Sequence, residues 1–228
     1  NLLHVSYQGS FFGLLNPFGL LAGLISITML IAHAGMWLQL RTADAVAERS
    51  AQYGRYALVV FIVLFAAAGF WVANINGYQI VSMPDTQSHA DPLAKVVSTA
   101  QGAWLNNYSE RPWTMTFPIL GFVMALSALL FSKLNKPSLG LISTSIMLIG
   151  VIMTAGVSLF PFIMPSVNNP DISLTIWDAV SSHRTLNIMF VAVVIFIPLI
   201  LAYTTWCYVK MWRRVTVDEI ENNTHGSY

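Results

Sequence analysis

Long apolar runs separated by short polar connections set the pattern of this chain. A membrane span needs roughly 20 mainly apolar residues to cross about 30 Å of hydrocarbon. Five segments fit that pattern: Pro17 to Leu40, Tyr56 to Asn74, Thr116 to Phe131, Leu139 to Met164, and Leu186 to Val209. None of these intervals contains Asp, Glu, Lys or Arg. Each such charge at mid-bilayer costs at least about 2.5 kcal/mol on insertion scales, so charge-free intervals are what true spans require. Pro118 stands near the start of the third span, where a missing backbone donor is tolerated. Pro198 falls inside the fifth and predicts a kink. The pattern predicts an all-α integral membrane bundle of about five transmembrane helices, forming a single domain over residues 1–228.

The polar intervals refine this. Two connections, about Ile75 to Met115 and Pro165 to Thr185, exceed a minimal helix link. In the first, Asp91 suits a helix N-cap and Pro92 the first helical position. Leu93, Val96, Val97, Ala100 and Trp104 then recur at spacings of three and four, which predicts a short interfacial helix with Trp104 at headgroup level. A partner-binding loop is the alternative there. The second connection carries Trp177, Asp178, Ser181, Ser182 and His183, and predicts another short interfacial helix leading into the fifth span. Asp178 and the serines read as capping and anchoring groups rather than catalysts.

Composition agrees: 56% of the 228 residues are hydrophobic and 9% charged, where a soluble domain carries about 25% charged residues. The net charge is +1 and the basic residues are dispersed, which speaks against nucleic-acid binding. All eleven Lys and Arg lie outside the predicted spans. Arg41, Arg49, Arg55, Lys133, Lys136, Lys210, Arg213 and Arg214 share one side of a five-span protein. Lys95, Arg111 and Arg184 share the other. The positive-inside rule puts the C-terminus in the cytoplasm and, with five spans, residue 1 outside. The start at Asn1, without a secretory signal, suggests a fragment of a longer chain with earlier spans absent.

Candidate chemistry is sparse. Cys207 is alone in an apolar run and reads as a buried, inert thiol; no cysteine cluster offers a metal site. Only His33 lies inside a predicted span. An intramembrane His is a functional-site candidate, and haem ligation is the sharp reading, with Met29, Met36, Met147, Met153 or Met189 as possible axial partners. No other span holds a His, so a hydrogen-bonded packing His is the favoured reading. His4, His89, His183 and His225 lie outside the hydrocarbon. Small and hydroxylated residues gather in the fourth span: Ser143, Thr144, Ser145, Gly150, Thr154, Ala155, Gly156 and Ser158. They allow close helix approach; a polar ligand lining is the alternative. Tyr203, Trp206, Tyr208 and Trp212 form half of an aromatic belt.

Several motifs carry a family resemblance. TAGVSLFPFIMPS (Thr154 to Ser166) resembles the fourth-span exit of subunit II of cytochrome bd-type quinol oxidases. SLTIWDAVSS (Ser173 to Ser182), with TLN at 185–187, resembles the following loop. YTTWCYVKM (Tyr203 to Met211) resembles the last helix. GAWLNN (Gly102 to Asn107) and WLQLRT (Trp37 to Thr42) are similar too, and the resemblance covers essentially the whole chain as the C-terminal three-fifths of such a subunit. It implies a respiratory terminal oxidase of the bacterial cytoplasmic membrane that oxidises quinol, reduces dioxygen to water and contributes to the proton gradient. Haems b and d and the quinol-oxidation loop belong to subunit I. Subunit II carries no haem ligand, packs against subunit I, and holds a structural quinone in some members. Implied partners are subunit I, lipids and quinone, with a small accessory subunit as a further one. The resemblance assigns no catalytic or metal residue here. Trp104, Thr154, Gly156, Trp177, Asp178, Ser181 and Ser182 are the structural or interface candidates. Half of a secondary transporter, or a membrane cytochrome built on His33, are the competing functions.

Overall fold

The computed structural model describes residues 11–82, 95–210 and 212. Expectations for His4, His89, Asp91, Pro92, Leu93, Arg213, Arg214 and His225 lie outside them. Among the described residues, five helices are long and apolar enough to cross a membrane. They are α1 (Pro17–Arg41), α2 (Asp44–Val72), α4 (Thr116–Lys133), α5 (Pro137–Leu159) and α6 (His183–Lys210). The chain is a multi-pass, all-α membrane protein. A five-residue helix, α3 (Asn106–Glu110), and two small hairpins lie between the spans.

Local chemistry accounts for the helix ends. Asn16 caps α1, its side chain accepting the Gly19 amide at 2.6 Å, with Pro17 at the first helical position, where its missing N–H costs nothing. At its other end, Thr42 donates its amide and hydroxyl to the Leu38 carbonyl. Only Thr42 and Ala43 separate α1 from α2. This corrects the expected polar connection from Arg41 to Arg55: Arg49 and Arg55 stand on the first turns of α2. The segment from Asp44 to Arg55 is built largely of helix formers, and Ala51 and Gly54 in it are buried, so packing carries the helix beyond the hydrocarbon. The fourth span is shorter than expected, because α5 stops at Leu159. Pro161 has no amide proton to continue the ladder, and Phe162–Met164 forms a strand instead.

Four helices make the core. Ile25, Met29, Ala32, Met36, Ala57, Leu58, Phe61, Ala125, Ala128 and Met147 form one buried cluster across α1, α2, α4 and α5. Small residues let the backbones meet. A Cβ on Gly35 would stand 2.8 Å from Gly54 Cα, and one on Gly150 would stand 2.9 Å from the Gly121 amide nitrogen. Lipid tails supply no hydrophobic drive between helices, so such contacts rest on close van der Waals packing.

The fifth span stands apart. Among the described residues, none on α6 is buried, and its most apolar stretch has a mean hydropathy of 2.6 against 1.8–2.1 for the others. An all-round apolar helix suits lipid or a membrane partner on every side. The described contacts with α1 lie at its C-terminal end: Tyr208 meets Trp37 edge-on at 5.7 Å, and Arg41 donates to the Trp212 carbonyl. Cys207 is therefore half-exposed rather than buried, since no helix among the described residues covers it. The helix continues through Pro198.

The connections opposite the α1–α2 turn are strands where helices were expected. β1 (Asn76–Ser82) pairs antiparallel with β2 (Val96–Gln101), Tyr78 facing Thr99 and Ile80 facing Val97. The β-branched run of Val96, Val97 and Thr99 favours an extended chain and overrides the helical spacing. Gly102 follows with φ of +71°, which glycine adopts at no steric cost. Trp104 then lies in a 3-10 turn, Ala103–Leu105. In the other connection β3 (Phe162–Met164) pairs with β4 (Leu174–Thr175). Residues 176–179 form a turn rather than the expected interfacial helix.

Candidate functional site: a clasped cap and a polar seam

The two long connections fold into one cap at the end of the bundle. Trp104 packs between them: Tyr78 is 5.4 Å away and Phe162 6.2 Å, ring centre to ring centre. The Tyr78 hydroxyl donates to the Ser166 carbonyl at 3.0 Å, and the Val97 amide donates to Asp171 at 2.7 Å. The strongest tie is electrostatic. Lys95 Nζ lies 2.9 Å from Asp178 Oδ2, with the lysine side chain only 1% exposed. The same carboxylate oxygen accepts the Thr175 amide at 2.9 Å and its hydroxyl at 2.7 Å. Burial alone would raise the Asp178 pKa. Hydrogen bonds from Lys95 and Thr175, with the ammonium charge, outweigh it and hold the carboxyl below its ordinary value. These contacts tie Asp178 into the cap. Its partner escaped sequence reasoning because Lys95 reads as an ordinary loop charge.

The serine candidates divide. The Ser182 hydroxyl accepts the Thr185 amide at 3.3 Å at the start of α6, an N-cap arrangement. Ser181 is exposed and makes no described side-chain hydrogen bond. Trp177 meets Phe160 edge-on at 6.1 Å.

Helix α3 seats the cap on α5. Asn107 donates to the Val157 carbonyl at 2.8 Å and to the Phe160 carbonyl at 2.6 Å, satisfying groups a helix end leaves unpaired. The Tyr108 hydroxyl reaches the Thr154 carbonyl at 2.9 Å and lies 3.2 Å from Ser158 Oγ. Burial pushes the Tyr108 phenol up, and the Ser158 hydrogen bond opposes this. The motif GAWLNN contains Asn107, but nothing in the sequence shows that it reaches α5. Thr154 turns its own hydroxyl back onto the Gly150 carbonyl at 2.7 Å. Gly156, expected at a close helix contact, faces open space. It lines a groove of about 230 Å³ with Asn107, Arg111, Trp113, Thr114, Met153, Val157 and Phe160.

A polar seam runs through the core. His33 Nδ1 lies 2.9 Å from Thr144 Oγ1, joining α1 to α5. The Thr144 hydroxyl gives its single proton to the Leu141 carbonyl at 2.9 Å. It must therefore accept from His33, which assigns the imidazole proton to Nδ1. The bond links His33 on α1 to Thr144 on α5. Toward the far end of the bundle, Ser132 Oγ donates to Gln39 Oε1 at 3.1 Å and accepts from Arg55 at 3.4 Å, tying α4 to α1 and α2. There the Arg41 guanidinium lies 3.7 Å from the Trp212 ring centre and 4.9 Å from that of Trp37. No group of three or more His, Cys, Asp or Glu side chains assembles a metal site among the described residues.

Comparison with known proteins bears on this arrangement directly. The profile of the family described as cytochrome bd terminal oxidase subunit II matches residues 2–211. The chain is 43% identical over 227 residues to cytochrome bd-I ubiquinol oxidase subunit 2 of Escherichia coli (strain K12), a match covering 99% of this chain and 60% of that relative. It is 40% identical over 227 residues to the probable cytochrome oxidase subunit 2 of Haemophilus influenzae (strain ATCC 51907 / DSM 11121 / KW20 / Rd), covering 100% and 60%. The chain thus spans about 60% of the length of these curated relatives. With all five spans and both halves of the cap inside the matched region, the chain belongs to the cytochrome bd terminal oxidase subunit II family.

Proposed function

We propose that this chain is part of the non-catalytic membrane subunit of a cytochrome bd-type quinol oxidase. The complex oxidises two quinols and passes four electrons to one dioxygen, yielding two quinones and two waters. The carrying observation is the family match from residue 2 to residue 211, across all five spans. The chain's chemistry supports the division of labour. A six-coordinate b haem takes two axial ligands, whereas His33, inside α1, is tied to a threonine across a helix seam, and His183 stands at the very first residue of α6. We therefore place haems b and d in the partner, subunit I, and assign this chain to packing and haem retention. A structural quinone and a small accessory subunit belong to the same reading. The end bearing Arg41, Arg55, Lys133 and Lys136 faces the cytoplasm of a bacterial inner membrane, and the clasped cap faces the periplasm.

Purification through a tag on the subunit carrying this chain tests the proposal. Recovery of haem and of quinol-dependent oxygen uptake with the tag is expected. Recovery of the subunit in folded form without any haem-bearing partner or oxidase activity would overturn it.

A further inference from the structure

The groove beside Gly156 brings together an exposed cation and an apolar trough, Arg111 above Met153, Gly156 and Val157, that serve none of the roles above. Its floor is the exposed flank of α5 near the helix end: Met153, Gly156 and Val157, then Phe160 just beyond it. A Cβ on Gly156 would meet nothing within 4 Å, so this floor is a hollow rather than a helix contact. Met153 lies seven residues before Phe160, so the trough descends about 10 Å along the helix. Asn107, Arg111 and Trp113 line it from the cap side. Trp113 is 64% exposed and precedes the first turn of α4, the depth at which interfacial tryptophans sit. The Arg111 guanidinium lies 5.7 Å from the centre of the Phe160 ring. Its side chain is exposed and has no carboxylate partner among the described residues; the described ion pair of the cap is Lys95 with Asp178.

A cation at headgroup depth above an apolar trough matches one chemistry: an anionic head joined to a hydrocarbon chain. We propose that this groove binds an anionic phospholipid of the leaflet on the cap side, its phosphate at Arg111 and an acyl chain along Met153, Gly156 and Val157. A neutral quinone head would leave the guanidinium's charge unanswered. A water-soluble anion would leave the trough unfilled.

The test uses protein purified from membranes with the subunits it carries, incubated in detergent with equal dioleoylphosphatidylglycerol and dioleoylphosphatidylcholine. Native mass spectrometry counts the lipid retained. Wild type retains phosphatidylglycerol preferentially. Arg111→Gln lowers that retention about fivefold, the worth of one interfacial cation, and leaves phosphatidylcholine unchanged. Arg111→Lys restores most of the preference, which separates charge from misfolding. Gly156→Leu, entering open space, displaces the bound lipid without loss of the partner subunits. Equal retention by wild type and Arg111→Gln, no preference for the anionic lipid, or a quinone or polypeptide found in the groove would overturn the proposal.

Discussion

Lys95→Met would leave the Asp178 carboxylate inside the cap without its ammonium. Losing one partner of a buried pair costs about 3 kcal/mol or more, because the remaining charge stays desolvated. The cap of Lys95→Met should therefore exchange its β1–β2 amides faster than wild type. The double variant Lys95→Met, Asp178→Leu should recover part of the loss. Equal exchange in the single and double variants would show that the charges do not act as a pair. The pH dependence follows from the direction of the Asp178 shift. Its folded pKa lies below the ordinary 3.8, so the pair's contribution is fully present above that value. It is lost as the pH falls from there through the lower folded value. Cap protection measured by hydrogen exchange should thus hold at neutral pH and fail only in strong acid. At His33 the expected effect is small. Thr144→Val removes the hydroxyl acceptor of a membrane hydrogen bond, a loss averaging about 0.6 kcal/mol. Thermal denaturation of the purified complex should record a slight destabilisation. A large one would assign the seam a weight beyond packing.

At the level of elements, the spans were legible because each is an uncharged apolar run. The ends of α1 and α6 fall within a few residues of their predicted positions. The start of α2 is hidden in the sequence because Asp44, Glu48, Arg49 and Arg55 look like a solvated loop, although they ride on a helix whose Ala51 and Gly54 pack inward. The cap hides for the opposite reason. Val96, Val97, Ala100 and Trp104 repeat with helical spacing, and only the β-branched character of Val96, Val97 and Thr99 signals the hairpin. Its clasp could not be seen at all, since Lys95 and Asp178 are 83 positions apart. The glycines of the core separate into two classes that the sequence does not distinguish. Gly35 touches Gly54, while Gly156 faces open space. Gly35→Val should lower the amount of assembled complex recovered from membranes, because its Cβ alone would lie 2.8 Å from a backbone atom. Gly156→Ala should leave that yield unchanged. Matching yields for the two would contradict the α1–α2 crossing.

For the whole molecule, four packed helices, a fifth span outside them and a clasped cap make a scaffold with one polar seam. The proposed orientation rests on the positive-inside rule applied to the dispersed basic residues. Val167, 88% exposed in the cap, should react as Val167→Cys with a membrane-impermeant maleimide applied outside spheroplasts, whereas Lys133→Cys should react only after permeabilisation. The reverse pattern would invert the topology. In the proposed complex the redox centres belong to the partner. The most direct test of this is the absorption spectrum of the subunit carrying this chain, recorded with its partner and again after separation. The Soret band should leave with the partner, and His33→Ala should leave the haem content of the complex unchanged. A Soret band that stays with this subunit and vanishes in His33→Ala would contradict the account.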